Sequence, residues 1–154
     1  DVGAKYPASS AFNAVSTNQL LIHNFRNTDA SITRTLEDAD LIHVDQGYTR
    51  CNLLAFDDKH FISSDNGIAR VMERFDKECL LVSHEGIKLE GFDHGFFGGC
   101  CGIYHNKVFI LGSLKAHPDK LAIENFIAER DHYLIELCEG PLFDGGSIIF
   151  IENS

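Results

Sequence analysis

The strongest constraint on the fold of this chain is a repeated pattern of elements. Three times, two short apolar strands flank a polar turn, a helix with a capping residue follows, and another apolar strand closes the unit. The copies span about residues 12–45, 50–84 and 98–138, and residues 145–152 begin a fourth. Self-similarity of this kind indicates an architecture in which neighbouring units stack to bury a shared core.

Local signals mark the helices and the connections of the repeat. Asp29 and Asp65 stand at the starts of two helices as capping residues, and Pro118 suits the first turn of the third. Apolar residues at helical spacing predict the buried faces of the last two helices. These residues are Ile68, Val71, Met72 and Phe75, followed by Leu121, Ile123, Phe126 and Ile127. Gly-rich connections at residues 85–99 and 139–146 are long loops, which often carry function.

Composition excludes several functional classes. The 154 residues are enough for one ordinary domain with a real core. A formal net charge of -10 argues against a nucleic-acid partner, although an acidic surface tolerates a cationic ligand.

No apolar run has the length of a membrane span, and the N-terminus lacks the regions of a signal peptide, so we expect a cytoplasmic protein without a membrane partner. Since the chain begins at Asp1, we also expect a processed product or a trimmed piece.

The five cysteines have no regular spacing and form no CxxC pair, which predicts reduced thiols. Cys79 and Cys138 lie in apolar strand contexts, so we predict that both are small buried residues. The eight histidines are scattered without the local ligand pairs of a zinc site. The sequence therefore predicts no metal and no cofactor.

Four motifs together resemble a known group of proteins. They are QGYTRCN at residues 46–52, GFDHGFFGG at 91–99, HPD at 117–119 and DGGS at 144–147. They resemble an uncharacterised bacterial family of the pentein, or α/β-propeller, superfamily. That resemblance implies a ring of five ββαβ units around a pore, with the unit entrances close to the ring axis.

Compared with the five units of that ring, this chain has about three units and the start of another. We therefore expect an α/β protein that forms a partial pentein-like propeller. We treat residues 1–154 as a single pentein-like domain that lacks one or two units on its N-terminal side. An incomplete ring exposes sheet edges, which need a partner. We therefore expect a homodimer, or another fragment that completes the ring.

The superfamily includes arginine deiminases, dimethylarginine hydrolases and amidinotransferases, and also a non-catalytic ribosome anti-association factor. Its enzymes attack a guanidinium carbon with a cysteine, assisted by a histidine and carboxylates. Cys51 resembles that nucleophile, and the adjacent Arg50 would lower the pKa of its thiol. His117 would move protons as general acid and base. Cys100 and Cys101, which should face opposite sides of a strand, form a second pair of thiol candidates.

The resemblance also implies side chains that hold a cationic substrate, namely Asp65, Asp93, His94, Asp119 and Asp144. Each also has a structural interpretation. Asp65 and Asp119 suit helix starts, Asp93 and His94 suit a solvated turn, and Asp144 suits the turn before two glycines.

Two functional hypotheses remain open at this point. In the first, the chain is a cysteine-dependent hydrolase or transferase acting on a guanidinium or another small cation. In the second, it is a non-catalytic binding module with an incomplete ring. A third option, which assigns no function, is that the chain is a stable piece of a longer protein. Thiol reactivity separates the first two, because a binding module needs no thiolate.

Overall fold

The computed structural model describes residues 5–151, which form three small mixed sheets and four α-helices. In each sheet the first strand is antiparallel to the second, and the second is parallel to the third. A helix stands between the second and third strands of each unit, because a parallel pair needs a crossover connection. The predicted α/β class and the strand–strand–helix–strand unit are confirmed.

The first unit consists of β1 (Val15–Ser16), β2 (Leu20–His23), α1 (Ala30–Thr35) and β3 (Asp40–His43). The second consists of a one-turn helix α2 (Thr49–Asn52), β4 (Leu53–Ala55), β5 (His60–Ser63), α3 (Asn66–Arg74) and β6 (Glu78–Leu81). The third consists of a 3-10 turn (Phe97–Cys100), β7 (Cys101–Tyr104), β8 (Lys107–Ile110), α4 (Lys120–Ala128) and β9 (Tyr133–Glu136). Within residues 5–151 no helix is long and apolar enough to cross a membrane.

The middle sheet is packed on both faces. Successive side chains of a strand point to opposite faces, so β4 and β5 each contribute to two cores. Leu53 and Phe61 join the core shared with the first unit. Leu54 and Ile62 join the core shared with the third. The second unit therefore holds the other two together, as stacking of repeats requires.

Two of the predicted helix caps are confirmed. The carboxylate of Asp29 accepts a hydrogen bond from Ser31 N at 2.8 Å, and that of Asp65 accepts one from Ile68 N at 2.9 Å. Each bond pairs one of the backbone N–H groups that a helix leaves free in its first turn.

Three predictions of buried apolar side chains are wrong. Leu121 is 72% exposed, because it lies two residues from the buried Ile123 and so on the opposite side of α4. Phe75 is 50% exposed and follows the last residue of α3. Cys138 is exposed, because the chain leaves the sheet when β9 ends at Glu136.

The strand predicted at residues 147–151 is also absent. Gly146 and Ser147 both have φ of +87°, which turns the chain out of an extended course. Ser147 N donates to Gly99 O at 2.8 Å and Ile148 N to Cys101 O at 2.9 Å. The segment therefore runs beside the start of β7 without forming a regular ladder.

His23, at the end of β2, should make the stability of the fold depend on pH. Its Nε2 donates to Gly47 O at 2.9 Å, and its ring is fully buried. Burial lowers the pKa of His23 below its ordinary value, and the hydrogen bond to Gly47 opposes this only in part. As the pH falls through about 6.5, the unfolded chain binds a proton that the folded chain resists, so the folded state loses stability.

We expect His23→Asn to flatten the loss of unfolding free energy between about pH 7 and about pH 5, by at most about 1.4 kcal/mol per pH unit. Urea unfolding followed by circular dichroism at several pH values measures these slopes. His105→Asn, at an exposed turn position, is the control and should keep the wild-type slope. Equal slopes for His23→Asn and the wild type would contradict this assignment.

Candidate functional site

The entrances of the units, meaning the residues just before each first strand, meet in one place. Asn13 O accepts a hydrogen bond from Arg50 N at 3.0 Å, which joins the first entrance to the second. Gly98 packs so closely beneath α2 that an added Cβ would overlap Arg50 O. Ser147 Oγ donates to Gly98 O at 3.0 Å and brings in the segment that follows the third unit. We call the following residues the entrance cluster: Asn13, Arg50, Cys51, Asp144 and Ser147.

Cys51 lies in the one-turn helix α2, where the sequence suggests a loop leading into a strand. Its N–H donates to Asn13 Oδ1 at 3.2 Å, and Asn13 Nδ2 donates to its sulfur at 3.4 Å. This reciprocal pair fixes the thiol against the first unit. The side chain of Cys51 is buried, with 9% of its surface exposed.

Burial raises the pKa of the Cys51 thiol above its ordinary value. The hydrogen bond from Asn13 lowers this pKa, the charge of Asp144 raises it, and Arg50 and Ser147 lower it by smaller amounts. The predicted effect of Arg50 therefore has the right sign, but burial outweighs it. A thiol with a raised pKa is protonated at neutral pH and is a poor nucleophile.

Asp144 is the buried acidic member of the entrance cluster. Its carboxylate accepts hydrogen bonds from Phe96 N and Gly146 N, both at 3.0 Å. An added Cβ on Gly99 would overlap the Asp144 carboxylate, and one on Gly95 would lie 2.6 Å from Asp144 Cβ. The glycines of the connecting loop thus provide the space that this carboxylate fills.

Cys100 and Cys101 are both buried beside Asp144. Cys100 ends the 3-10 turn and donates to Phe96 O at 3.4 Å, so only Cys101 belongs to a strand. Burial raises the pKa of both thiols, and the charge of Asp144 adds to this effect.

His117 and Asp119 bind the backbone of Ser83 from both sides. His117 Nδ1 accepts from Asp119 N at 3.1 Å, so Nε2 carries the proton and donates to Ser83 O at 3.1 Å. Asp119 Oδ2 accepts from Ser83 N at 2.7 Å, whereas no side-chain bond caps α4. Both ring nitrogens of His117 are therefore engaged, and the ring is directed to Ser83 and not to Cys51.

An open cavity of about 920 Å³ lies beside Ser83, and we call it the loop cavity. Residues 83–90 and 92–94, Pro141 and Phe143 line it. A neighbouring cavity of about 680 Å³ shares Ser83, His84 and His94 and includes Asp65. The rings of His84 and His94 stack between the two, with their centroids 3.9 Å apart.

The side chains of the loop cavity are acidic and aromatic. Its lining includes three exposed acidic residues, Glu85, Glu90 and Asp93, and one lysine, Lys88. Phe92 and Phe143 offer ring surfaces that are 73% and 45% exposed. The loop backbone is held by the bonds of Lys88 N to Leu142 O and Asp144 N to Lys88 O, both 2.8 Å.

The structure thus brings together some of the predicted site residues and not others. Asp65, Asp93 and His94 line the two adjoining cavities, whereas Asp119 and Asp144 hold backbone behind them. Cys51 and His117 belong to separate clusters. Among residues 5–151, no three His, Cys, Asp or Glu side chains are arranged to hold a metal ion.

Sequence reasoning did not identify Asn13, Ser147 and His84 as site residues. Asn13 precedes the first strand of its unit, as Cys51 does, and Ser147 ends the DGGS motif at the predicted start of a further repeat, so comparison of equivalent repeat positions could have identified them. His84 offers no comparable local signal, because its partner His94 is brought to it by the folding of the loop.

Comparison with known proteins gives one family and one fold. A model described as a family of unknown function (DUF6873) matches residues 1–149. A search of curated proteins found no match to the sequence. Two solved structures of agmatine deiminase from C. jejuni are similar, with TM-scores of 0.57 and 0.58 and 7% identity. The second is a cysteine-to-serine variant with substrate bound.

The similarity covers 81% of this chain and 48–49% of the deiminase chains, so the chain spans about half the length of those proteins. At 7% identity, the similarity to these structures is evidence about the fold of the chain. The three ββαβ units and this likeness together confirm the prediction of a partial pentein-like α/β propeller.

The lack of a side chain at Gly99 should be essential for the packing of the Asp144 carboxylate in the entrance cluster. We expect Gly99→Ala to lower the free energy of unfolding by about 1–3 kcal/mol or more, because the new methyl group displaces the Asp144 carboxylate. Urea unfolding followed by circular dichroism measures this change. Gly67→Ala, whose Cβ would meet only Asp65 Oδ1 at 3.0 Å, is the control and should change stability by less than about 1 kcal/mol. Equal effects of the two substitutions would disprove the close packing at Gly99.

Proposed function

We propose that this chain, which belongs to the DUF6873 family of unknown function, is a pentein-like module that binds a small cationic molecule without transforming it. The site of binding is the loop cavity. Cys51, the residue that would carry catalysis in a pentein enzyme, serves the packing of the entrance cluster instead.

The observation that carries this proposal is the state of Cys51. Its side chain is buried, and its pKa is raised in spite of three neighbouring groups that lower it. A cysteine nucleophile needs the thiolate and also needs contact with its substrate. His117, the predicted proton carrier, is bonded through both ring nitrogens to backbone groups.

The chemistry of the loop cavity supports a cationic ligand. Three carboxylates against one lysine attract positive charge, and the exposed rings of Phe92 and Phe143 suit a cation or an apolar chain. Cavities of this size bury much of a small molecule. Asp93 and His94, both predicted to bind substrate, line it.

A second candidate is a cysteine-dependent hydrolase or transferase acting on a guanidino compound. The observation that favours it is the convergence of Asn13, Arg50 and Ser147 on the Cys51 thiol, since each lowers its pKa. The likeness to agmatine deiminase agrees with this candidate at the level of fold. In that case a conformational change would have to expose Cys51.

The reactivity of the thiols separates the two candidates. We expect iodoacetamide to alkylate Cys51 more than about tenfold more slowly than the exposed Cys138 at neutral pH, because burial limits both contact and thiolate formation. Peptide mapping by mass spectrometry follows each cysteine over a pH series, and Cys51→Ser identifies the Cys51 signal. Alkylation of Cys51 as fast as that of Cys138 near neutral pH would favour the enzyme.

Binding itself is tested with agmatine as the probe and isothermal titration calorimetry as the readout. We expect the double variant Glu85→Gln with Asp93→Asn to weaken binding about two- to tenfold, because each exposed carboxylate contributes up to about 1 kcal/mol to attraction of a cation. The matched control is Glu37→Gln with Asp38→Asn, which removes the same charge from exposed positions of the first unit. Equal weakening by both pairs, or no binding by the wild type, would contradict the proposed site.

A further inference from the structure

Arg50 is a cation that has no counter-charge within the described part of the chain. Its Nη2 donates to Ile148 O at 3.3 Å, and its buried Nε has no hydrogen-bond partner among the described residues. Among residues 5–151, no ion pair joins Arg50 to a carboxylate. Burial also lowers the pKa of this guanidinium, which reflects the cost of removing its charge from water.

The two acidic members of the entrance cluster, Cys51 and Asp144, do not neutralise the charge of Arg50. The Cys51 thiol interacts with Arg50, but its raised pKa keeps it uncharged at neutral pH. The Asp144 carboxylate accepts its hydrogen bonds from Phe96 N and Gly146 N. Arg50 is half-buried, so its unpaired charge is partly removed from water, and a partner of opposite charge from solution would stabilise the fold.

A small cavity of about 100 Å³ lies against Arg50, and we call it the first-strand cavity. It is lined by the first strands of all three units, with Val15, Leu53 and Cys101 among its walls. Of the residues that the structure describes, no carboxylate and no second cation lines it. Its volume equals about three water molecules at about 30 Å³ each, which limits what it holds.

We propose that the first-strand cavity is a binding site for a small monovalent anion, such as chloride, nitrate or formate, held by the Arg50 guanidinium. The planar guanidinium presents N–H donors that suit such an anion, and the small volume of the cavity limits the water that competes for them. The anion touches all three units through the walls of its site. It therefore stabilises the stacking of the units, independently of what the loop cavity binds.

Anion-dependent thermal unfolding tests this site. Chloride, nitrate and formate replace gluconate at constant ionic strength, so that screening does not change. We expect the wild-type melting temperature to rise by about 3–5 °C for each tenfold increase in chloride above its Kd. Arg50→Met should abolish the rise, whereas Arg70→Met, at an exposed position of α3, should retain it. A rise that survives in Arg50→Met, or no anion-specific rise in the wild type, overturns the proposal.

A second measurement uses the wild type alone and so does not require the variant to fold. Crystals grown with bromide in place of chloride reveal the ion by anomalous scattering. The proposal predicts a bromide peak within hydrogen-bonding distance of the Arg50 guanidinium. Ordered bromide elsewhere on the surface with none at Arg50 overturns it.

Discussion

The carboxylate of Asp144 fills the space that Gly99 leaves by lacking a side chain, and much of the site depends on that contact. The carboxylate binds the backbone of Phe96 and Gly146, while the Asp144 backbone binds Lys88. Through these bonds one residue joins the entrance of the third unit, the segment that follows this unit and the loop that lines the large cavity. Its negative charge also helps to keep the neighbouring thiols protonated.

The molecule thus separates a closed region from an open one. The entrance cluster is closed, because Asn13, Gly98 and Ser147 surround Cys51 at hydrogen-bonding or van der Waals distance. The loop cavity is open, and His117 with Asp119 supports it by binding Ser83 at its edge. A pentein enzyme would need reactive groups that meet an accessible substrate. Here the loop cavity carries carboxylates and aromatic rings, whereas the thiols of Cys51, Cys100 and Cys101 are buried.

Local patterns in the sequence were sufficient to predict the three units, whereas the propeller arrangement was predicted from the resemblance of the four motifs. The repeat spacing gave three ββαβ units, and the aspartates before α1 and α3 marked their starts. Contacts between distant residues limited the prediction of the site. Asp144 and Phe96 are separated by 48 residues, and no local pattern joins them. The burial of Cys51 depends on residues from three units, so a sequence rule based on Arg50 alone overestimated thiolate formation.

The proposal that the chain binds a cation without transforming it is tested by an assay of ammonia release from agmatine, arginine and related guanidino compounds, with Cys51→Ser as the reference. We expect the wild type to release no more ammonia than Cys51→Ser. Release by the wild type that Cys51→Ser abolishes, while its fold and its binding of agmatine are retained, would show instead that the chain is an enzyme.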